Sequence, residues 1–553
     1  IAANGRYCKT RRHAQLCDIR RQDSEHSGER IVPNFQTSAT VRAAQVKRGA
    51  QLFRANTDSI PAPTGGWNAR DALADMDEKD AVQLTNFFPL TTDVMVRKGY
   101  TRWATGFTGQ AESLMPYNSP TASTLFAAVG TVFYNVTSQG AVGAAVQTGL
   151  TNARWQSTNF ANTGGNFLMC VNGVDSMRQW DGSAWSTVSA AITGVATATF
   201  VQVNVFKRRV WFVEKDSLKA WYLPVDSITG AAQSIDLRPL ASLGGYLVAM
   251  GTWTIDSGTG EDDLAVFVTS EGQVIVYRGI DPANDVTWAL AGAWNVGSPI
   301  GRRCLQKFGG DLLIITFDGI FAMSSLMQSD TVDVHSALSD KIRTAFSDAA
   351  TDYSANFGWD ATVYPAGNML ICNVPISESA GQQQYVMNTI NKSWCNFDVW
   401  WASCFMLFND QPYFGADGAV CKAWSGFADN VADVTGTAIQ AFNYFGAKGQ
   451  QKLFTLMRPL INATGRPAVF VNVNVDYDLI PPTTPALFNP GAFPLWDVAL
   501  WDYGLWGGRY VLKDWQGING IGYCAAPVMI CAANGFEVNW MASDIVFQPG
   551  AVL

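Results

Sequence analysis

From about residue 111 onward, short apolar runs alternate with tight-turn residues. LFAAVG-TVFYNV (125–136) is followed by FLMCVNGVDSMRQWDGSAW (167–185), RRVWFVEKDSLKAWYL (208–223) and LAVFVTSEGQVIVYRG (264–279). Then come LLIITFDGIFAMSS (312–325), MLICNVP (369–375) leading to QQQYVMNTINKSWCNF (382–397), and PYFGADGAVCKAW (412–424). Most of these runs read as two strands joined at Asn-Gly, Asp-Gly or a related polar pair, which supplies the positive φ of favoured hairpin turns. The turn centres near 130, 173, 216, 271, 318 and 417 recur at intervals of roughly 40–55 residues, with room for one further unit between the last two. This rhythm predicts a mainly β chain whose residues 111–425 form a β-propeller of six or seven blades. A β-sandwich with many hairpins is the other architecture compatible with the same runs.

One segment breaks the rhythm. In VDVHSALSDKIRTAFSDAA (332–350), Val334, Leu338, Ile342 and Phe346 fall at four-residue spacing and predict a helix with one apolar stripe against a core. After 430 the style changes: QAFNYFGAKGQQKLFTLMRPLI (440–461) and PAVFVNVNVDYDL (467–479) alternate as strands, and Pro481, Pro482 and Pro485 then interrupt the chain. PLWDVALWDYGLWGG repeats Leu-Trp every five residues, at Trp496, Trp501 and Trp506. A period of five matches neither a helix face nor a strand face, so these tryptophans point in different directions. They suit either a docking surface for another protein or packing beneath a long loop. The chain closes with two or three more strands around Asn534-Gly535.

Residues 1–60 show neither periodicity over a useful length. They hold 11 Lys+Arg against 5 Asp+Glu, whereas the remainder carries 27 against 41, so a basic arm precedes an acidic body. The arm reads as an extended segment that orders against partners or as a disordered tail. Its arginines Arg11, Arg12, Arg20 and Arg21 are the candidates for contact with an acidic partner or neighbouring subunit. Across the chain, charged residues make up only 15% and aromatics 12%. Soluble globular proteins average roughly 25% charge, so a disordered acidic chain is excluded and much of the surface is expected to be covered by other chains. No apolar run approaches the roughly 18 residues that cross a bilayer, and the first residues lack the apolar core of a secretory signal. The ten cysteines form no CxxC pair and sit mostly in apolar runs, which predicts buried free thiols rather than a disulfide framework.

Catalytic sets are scarce. His335 is the only histidine outside the arm, so a Ser-His-Asp or Cys-His site could draw on it alone, and its place beside an amphipathic stripe fits a structural role better. No GxSxG elbow, Walker A loop or ordered GxGxxG is present, and GINGIG (517–522) has its glycines in the wrong order. No His/Cys spacing suggests a metal. The acidic stretch Asp256 to Asp263 lacks the alternation of a calcium loop and reads as a solvated tip. The expectation is therefore no enzyme and no cofactor. A carboxylate pair for glycoside hydrolysis is the one catalytic arrangement that the sequence leaves open. Base-reading of nucleic acid is not supported by an acidic body without a Lys/Arg stripe. An acidic wall does suit a conduit along which DNA slides without sticking.

PAPTGGWNARDALADMDEKDAVQLTNFFPLTTDVMVRKGY (61–100) resembles the opening of the tail nozzle proteins of short-tailed, podovirus-type phages, related to tail-hub or DNA-stabilisation proteins. The residues that carry the likeness are Pro61, Pro63, Gly65, Gly66, Asn68, Arg70, Asp71, Phe88, Pro89, Arg97, Gly99 and Tyr100. FNYFGAKGQQKLFTLMRP, the Leu-Trp-Asp repeats and VNWMASDIVFQPGAVL at the far end resemble the same family, whereas residues 1–50 depart from it. The resemblance implies an organisation of N-terminal arm (1–60), opening segment of a platform (61–110), propeller (111–425) and C-terminal β-rich platform or nozzle domain (430–553). It further implies a homohexameric ring in the virion tail, made in the host cytoplasm and placed below the portal and its adaptor protein. Such a ring continues the channel for genomic dsDNA, retains the genome, docks tail fibre or spike proteins and meets the host cell surface indirectly. The alternative is a carbohydrate-binding or carbohydrate-cleaving propeller acting in receptor recognition.

Overall fold

The runs FLMCV, LAVFV and LLIIT become strands covered on both faces. Along Gly165–Val171, Leu168 and Cys170 pack into one hydrophobic cluster with Phe126 and Trp155, while Met169 and Val171 pack into the next with Phe200 and Phe212. Along Glu261–Thr269, Ala265 and Phe267 likewise face one neighbour and Leu264, Val266 and Val268 the other. Stacked sheets explain why these strands read as continuous apolar runs rather than as alternation. Each fully buried Val, Leu or Phe side chain contributes about 1.5–3 kcal/mol relative to exposure.

The computed structural model describes residues 55–256, 261–284, 286–326, 334–378, 381–481 and 510–552, all within one structural unit, Phe53–Leu553. The architecture is a β-propeller joined to a β-rich platform. Five blades are built from consecutive antiparallel strands. The first comprises Gln156–Asn162, Gly165–Val171, Met177–Trp180 and Trp185–Val188, and the second Phe200–Phe206, Arg209–Glu214, Lys219–Tyr222 and Gln233–Asp236. The third comprises Leu247–Asp256, Glu261–Thr269, Gln273–Gly279 and Trp288–Asn295, and the fourth, three-stranded, Leu305–Phe308, Asp311–Thr316 and Gly319–Ala322. The fifth comprises Asp360–Tyr364, Met369–Pro375, Gln382–Asn388 and Trp394–Phe397.

The ring is closed by a sheet drawn from both sides of this run. Its order is Cys404–Phe408, Gln411–Ala423, Tyr100–Asn118, Ser123–Val129, Val132–Asn135. The 19-residue strand Tyr100–Asn118 pairs over its first half with Gln411–Ala423 and over its second with Ser123–Val129. The expectation of six or seven blades thus becomes five blades of consecutive strands plus this shared closing sheet. The Asp-Gly pair near 417 is not a hairpin turn. Gln411–Ala423 is one strand whose register shifts between Asp417 and Ala419, and the turn lies earlier, at Asn409 and Asp410, both with positive φ. Asp417 faces Gln110 and Ala419 faces Thr105, so the additional residues lie on Tyr100–Asn118, which bulges opposite Gly418.

The predicted helix is shorter than its sequence pattern. It spans Arg343–Tyr353, with Phe346 buried, and is preceded by 3-10 turns at Val334–Ser336 and Asp340–Ile342. The backbone between the turns is committed elsewhere: Leu338 N donates to Ile320 O, Leu338 O accepts from the Trp394 indole, and Lys341 O accepts from Ala69 N. Those bonds displace the i to i−4 ladder a longer helix would need.

The platform holds two sheets. One runs Tyr510–Leu512, Gln450–Ala463, Val538–Val552, Val94–Val96, Phe87–Pro89. Asn56–Pro61 also pairs with Val538–Val552, in register from Asn56↔Phe547 to Pro61↔Ala542. The end of the expected arm is therefore a strand, imposed by its partner's edge and not by its own polar sequence. GINGIG lies in the strand Gln516–Gly522 on the same sheet. The second sheet extends the fifth blade: Trp394–Phe397 meets Asp80–Thr85 through the parallel pair Thr85↔Asn396, and Val434–Gln440, Ala525–Ala533 and Ala468–Val475 follow. A core of Phe87, Phe88, Phe454, Met457, Met529 and Trp540 fills the space behind the platform sheets. All eight described cysteines are buried free thiols, as the sequence predicts.

Candidate functional site: the joint between propeller and platform

The motif residues of 61–100 gather in two polar clusters where the platform meets the propeller. In the first, Asn68 is buried and its Oδ1 accepts from the Arg70 and Asp71 amides, both at 3.0 Å, forming a tight side-chain turn. Its Nδ2 donates to Asp71 Oδ2 and Asp80 Oδ2, both at 2.8 Å. Asp80 accepts in turn from Lys341 Nζ at 2.6 Å, and the same ammonium donates to Gly65 O at 2.8 Å. Arg70 pairs with Asp71 at 2.7 Å and reaches Asp340 across the junction. The Arg70 guanidinium, then the Asn68 amide, hold the Asp71 carboxyl at about 2, below its ordinary value. His335 Nδ1 lies 3.4 Å from Asp340 Oδ1 beside this cluster. Gly66 adopts φ +85°, and a Cβ there would sit 2.5 Å from Trp394 O, so only glycine lets the opening segment lie against the fifth blade.

The second cluster centres on Arg97, whose side chain is fully buried. All five N–H groups of its guanidinium are used. Nη1 and Nη2 hold Asp429 Oδ1 and Oδ2 at 2.8 and 2.7 Å, and Nε donates to Asn86 Oδ1 at 2.7 Å. The remaining two donors reach Lys98 O at 3.1 Å and Asp398 O at 2.9 Å. The guanidinium also lies 5.0 Å from the Trp400 ring and 5.7 Å from Phe397. Phe88 packs edge-on against Trp424 and Phe397, Pro89 O accepts from Asn388 Nδ2 at 2.8 Å, and Tyr100 packs edge-on against Phe414. At Gly99 an added Cβ would lie 1.8 Å from Ala428 O.

The motif residues Gly65, Gly66, Asn68, Arg70 and Asp71 thus belong to one cluster, and Phe88, Pro89, Arg97, Gly99 and Tyr100 to the other. Sequence reasoning missed Asp80, Asn86, Lys341, Asp398 and Asp429. Asp80 and Asn86 lie within the motif stretch, but Lys341 and Asp429 are 261 and 332 residues from their partners, and nothing in their local sequence marks them. Trp496, Trp501, Trp506, Arg11, Arg12, Arg20 and Arg21 lie outside the described residues. Chemically the joint is a fastener: its polar groups are spent on one another, with no nucleophile beside a base. Among the described residues no cluster of three or more His, Cys, Asp or Glu is placed to hold a metal ion, and no helix is long and apolar enough to cross a membrane.

No family model matches the chain, and no curated protein matches it. Solved structures do resemble it. The BBS1N structure in complex with ARL6DN superposes with a TM-score of 0.38 at 9% identity, covering 59% of this chain and 96% of that one. The β-propeller domain of Cps50 (Swd1) from Myceliophteria thermophila gives 0.38 at 9% identity, covering 58% and 98%. The WD40 β-propeller domain of Doa1 gives 0.36 at 9%, covering 59% and 96%. None of these likenesses bears on what the chain does.

Proposed function

We propose that this chain is the tail nozzle of a short-tailed phage: one subunit of a homohexameric ring below the portal and adaptor. The ring continues the dsDNA channel, holds the genome in and docks tail fibres or spikes. One observation supports the reading above others. The described parts of the two segments that carry the family resemblance, 61–100 and 440–481 with 510–552, fold together into one platform, and the propeller is an insertion held between them. Strand pairs such as Trp540↔Val94 and Pro61↔Ala542 join those distant segments directly. A ring subunit that carries an appendage needs such a platform, rigidly coupled to the appendage, and the Arg97 and Asn68 clusters provide the coupling. The acidic balance of residues 61–553 suits a lumen that repels phosphates.

The test is to add purified protein to DNA-filled particles that carry portal and adaptor but lack a nozzle. Six copies bound at one vertex, with more DNA retained, is the expected result. Failure to bind, with glycan binding or release by the soluble protein instead, would move the propeller to the receptor or enzyme class.

A further inference from the structure

The first strands of four of the five blades, with Tyr100–Asn118 and Cys404–Phe408 of the closing sheet, line an axial cavity of about 310 Å³. Its wall takes Leu114, Gln156, Gln202, Gln306, Thr362 and Phe405 from six different strands around the ring. Arg302 and Arg303, which precede the fourth blade, enter the same cavity, and Arg302 also lines a second cavity of about 250 Å³ beside Lys215, Asp216 and Tyr246.

Neither cation belongs to an ion pair among the described residues. Arg302 makes one long hydrogen bond, to Asn172 O at 3.4 Å. Arg302 is exposed to solvent, and the partial desolvation of its guanidinium lowers its pKa from the ordinary value, with Tyr246 and Asp216 partly offsetting this. Arg303 is held by neutral acceptors: Nη2 donates to Ser113 Oγ at 2.8 Å, Glu112 O at 3.2 Å and Trp155 O at 3.3 Å. Its Nη1 is buried without a hydrogen-bond partner. Phe357 lies under both Arg303 and Arg154, at 5.1 and 4.4 Å. Arg154 does not share their deficit, because Glu112 and Glu378 pair with it. The one carboxyl in the axial cavity is Asp360, which is withdrawn from water; its pKa is pushed up to about 6, with Arg303 opposing the shift.

A guanidinium with open donors, surrounded by amide and hydroxyl side chains in a concave site, is the chemistry that receives an oxyanion. We propose that the axial cavity of the propeller binds a small hydroxyl-bearing molecule through a carboxylate or phosphate group, with Arg302 as the anion-contacting residue. Arg303 supplies fixed positive charge behind it, and the glutamines meet the hydroxyls. The site is independent of ring assembly, so it stands or falls apart from the nozzle reading.

The test uses the full chain with three probes, inorganic phosphate, glucuronate and glucose, followed by calorimetry and by thermal shift against sodium chloride at matched ionic strength. Saturable binding of phosphate or glucuronate without binding of glucose is expected, and which of the two binds tells phosphoryl from carboxylate recognition. Arg302→Gln should weaken that binding about tenfold or more while leaving the unliganded melting temperature unchanged, because the side chain makes only one long internal bond. Arg302→Lys should recover part of it, and Arg208→Gln, on the exposed Arg208–Asp226 pair, should change nothing. No saturable anion binding, an effect reproduced by sodium chloride, or undiminished binding by Arg302→Gln would each overturn the proposal.

Discussion

Arg97 and Asp429, separated by 332 residues in sequence, meet as a two-pronged ion pair at 2.8 and 2.7 Å in the interior. The pair ties the strand Val94–Val96 of the platform to the segment that follows the closing sheet of the propeller. Through Asp398 O the same guanidinium reaches the end of the fifth blade. Three parts of the chain therefore depend on one side chain.

Removing one partner of such a pair leaves the other charged, dry and unpaired. Arg97→Met is expected to lower unfolding free energy by about 3–5 kcal/mol, and Asp429→Asn by a comparable amount. The double variant Arg97→Met with Asp429→Asn should lose less than the sum, since no charge is then stranded. Urea midpoints of the four proteins measure this, and strict additivity would deny the coupling.

Asp71 gives a pH-dependent version of the same logic at the surface of the joint. Its carboxyl is held at about 2, chiefly by Arg70, below the unfolded value of 3.8. The folded form therefore gains stability from this group above the unfolded value and loses it as pH falls from about 4 towards 2. Side chains roughly a third exposed are screened by water, so Asp71→Asn should cost only about 1 kcal/mol at neutral pH. The gap from the parent should narrow as pH drops below 4, which urea unfolding across pH 3–7 would reveal.

The sequence carried the blades well because each hairpin is local: its turn, its alternation and its length lie within one stretch of chain. Leu168 to Val171 announce a strand buried on two faces without reference to any neighbour. Ring closure was illegible, since Tyr100–Asn118 and Gln411–Ala423 look like ordinary strands and become partners only in space. The Asp-Gly pair at 417 misled for the same reason: it lies opposite a bulge in the distant partner strand Tyr100–Asn118. The helix over 332–350 was overcalled because the partners of Leu338 and Lys341, which are Ile320, Trp394 and Ala69, lie on other elements. Of the joint, the motif side was readable and its far partners Lys341 and Asp429 were not.

Asp360 should respond to pH in the opposite sense from Asp71. Burial raises its pKa to about 6 from 3.8, Arg303 opposing the shift, so the folded form binds more protons than the unfolded one between those values. Its contribution to stability is thus most favourable below about 4 and declines as pH rises through 6. Asp360→Asn keeps an acceptor for the Phe405 amide, which lies 3.4 Å from Asp360 Oδ2, and removes the ionisation. The variant should match the parent near pH 4 and exceed it at pH 7 by up to about 3 kcal/mol. A difference independent of pH would show that Asp360 ionises freely.

The eight described cysteines offer a probe of the packed interior. Desolvation pushes Cys404 up to about 11 and Cys304, Cys421 and Cys531 up to about 12, and all eight are buried. Thiol reagents attack the thiolate, so at pH 8 these groups are protected both by protonation and by exclusion. Brief treatment of native protein with iodoacetamide, followed by peptide mapping, should leave Cys170, Cys304, Cys372, Cys395, Cys404, Cys421, Cys524 and Cys531 unmodified, and the same treatment in 8 M urea should modify all of them. Cys404 and Cys421 sit on two adjacent strands of the closing sheet, so under increasing denaturant their labelling reports when the ring opens. If ring and platform unfold as one cooperative unit through the Arg97 joint, Cys404 and Cys531 become reactive at the same denaturant concentration. In Arg97→Met the propeller thiol and the platform thiol should separate, because the side chain that couples the two bodies is gone.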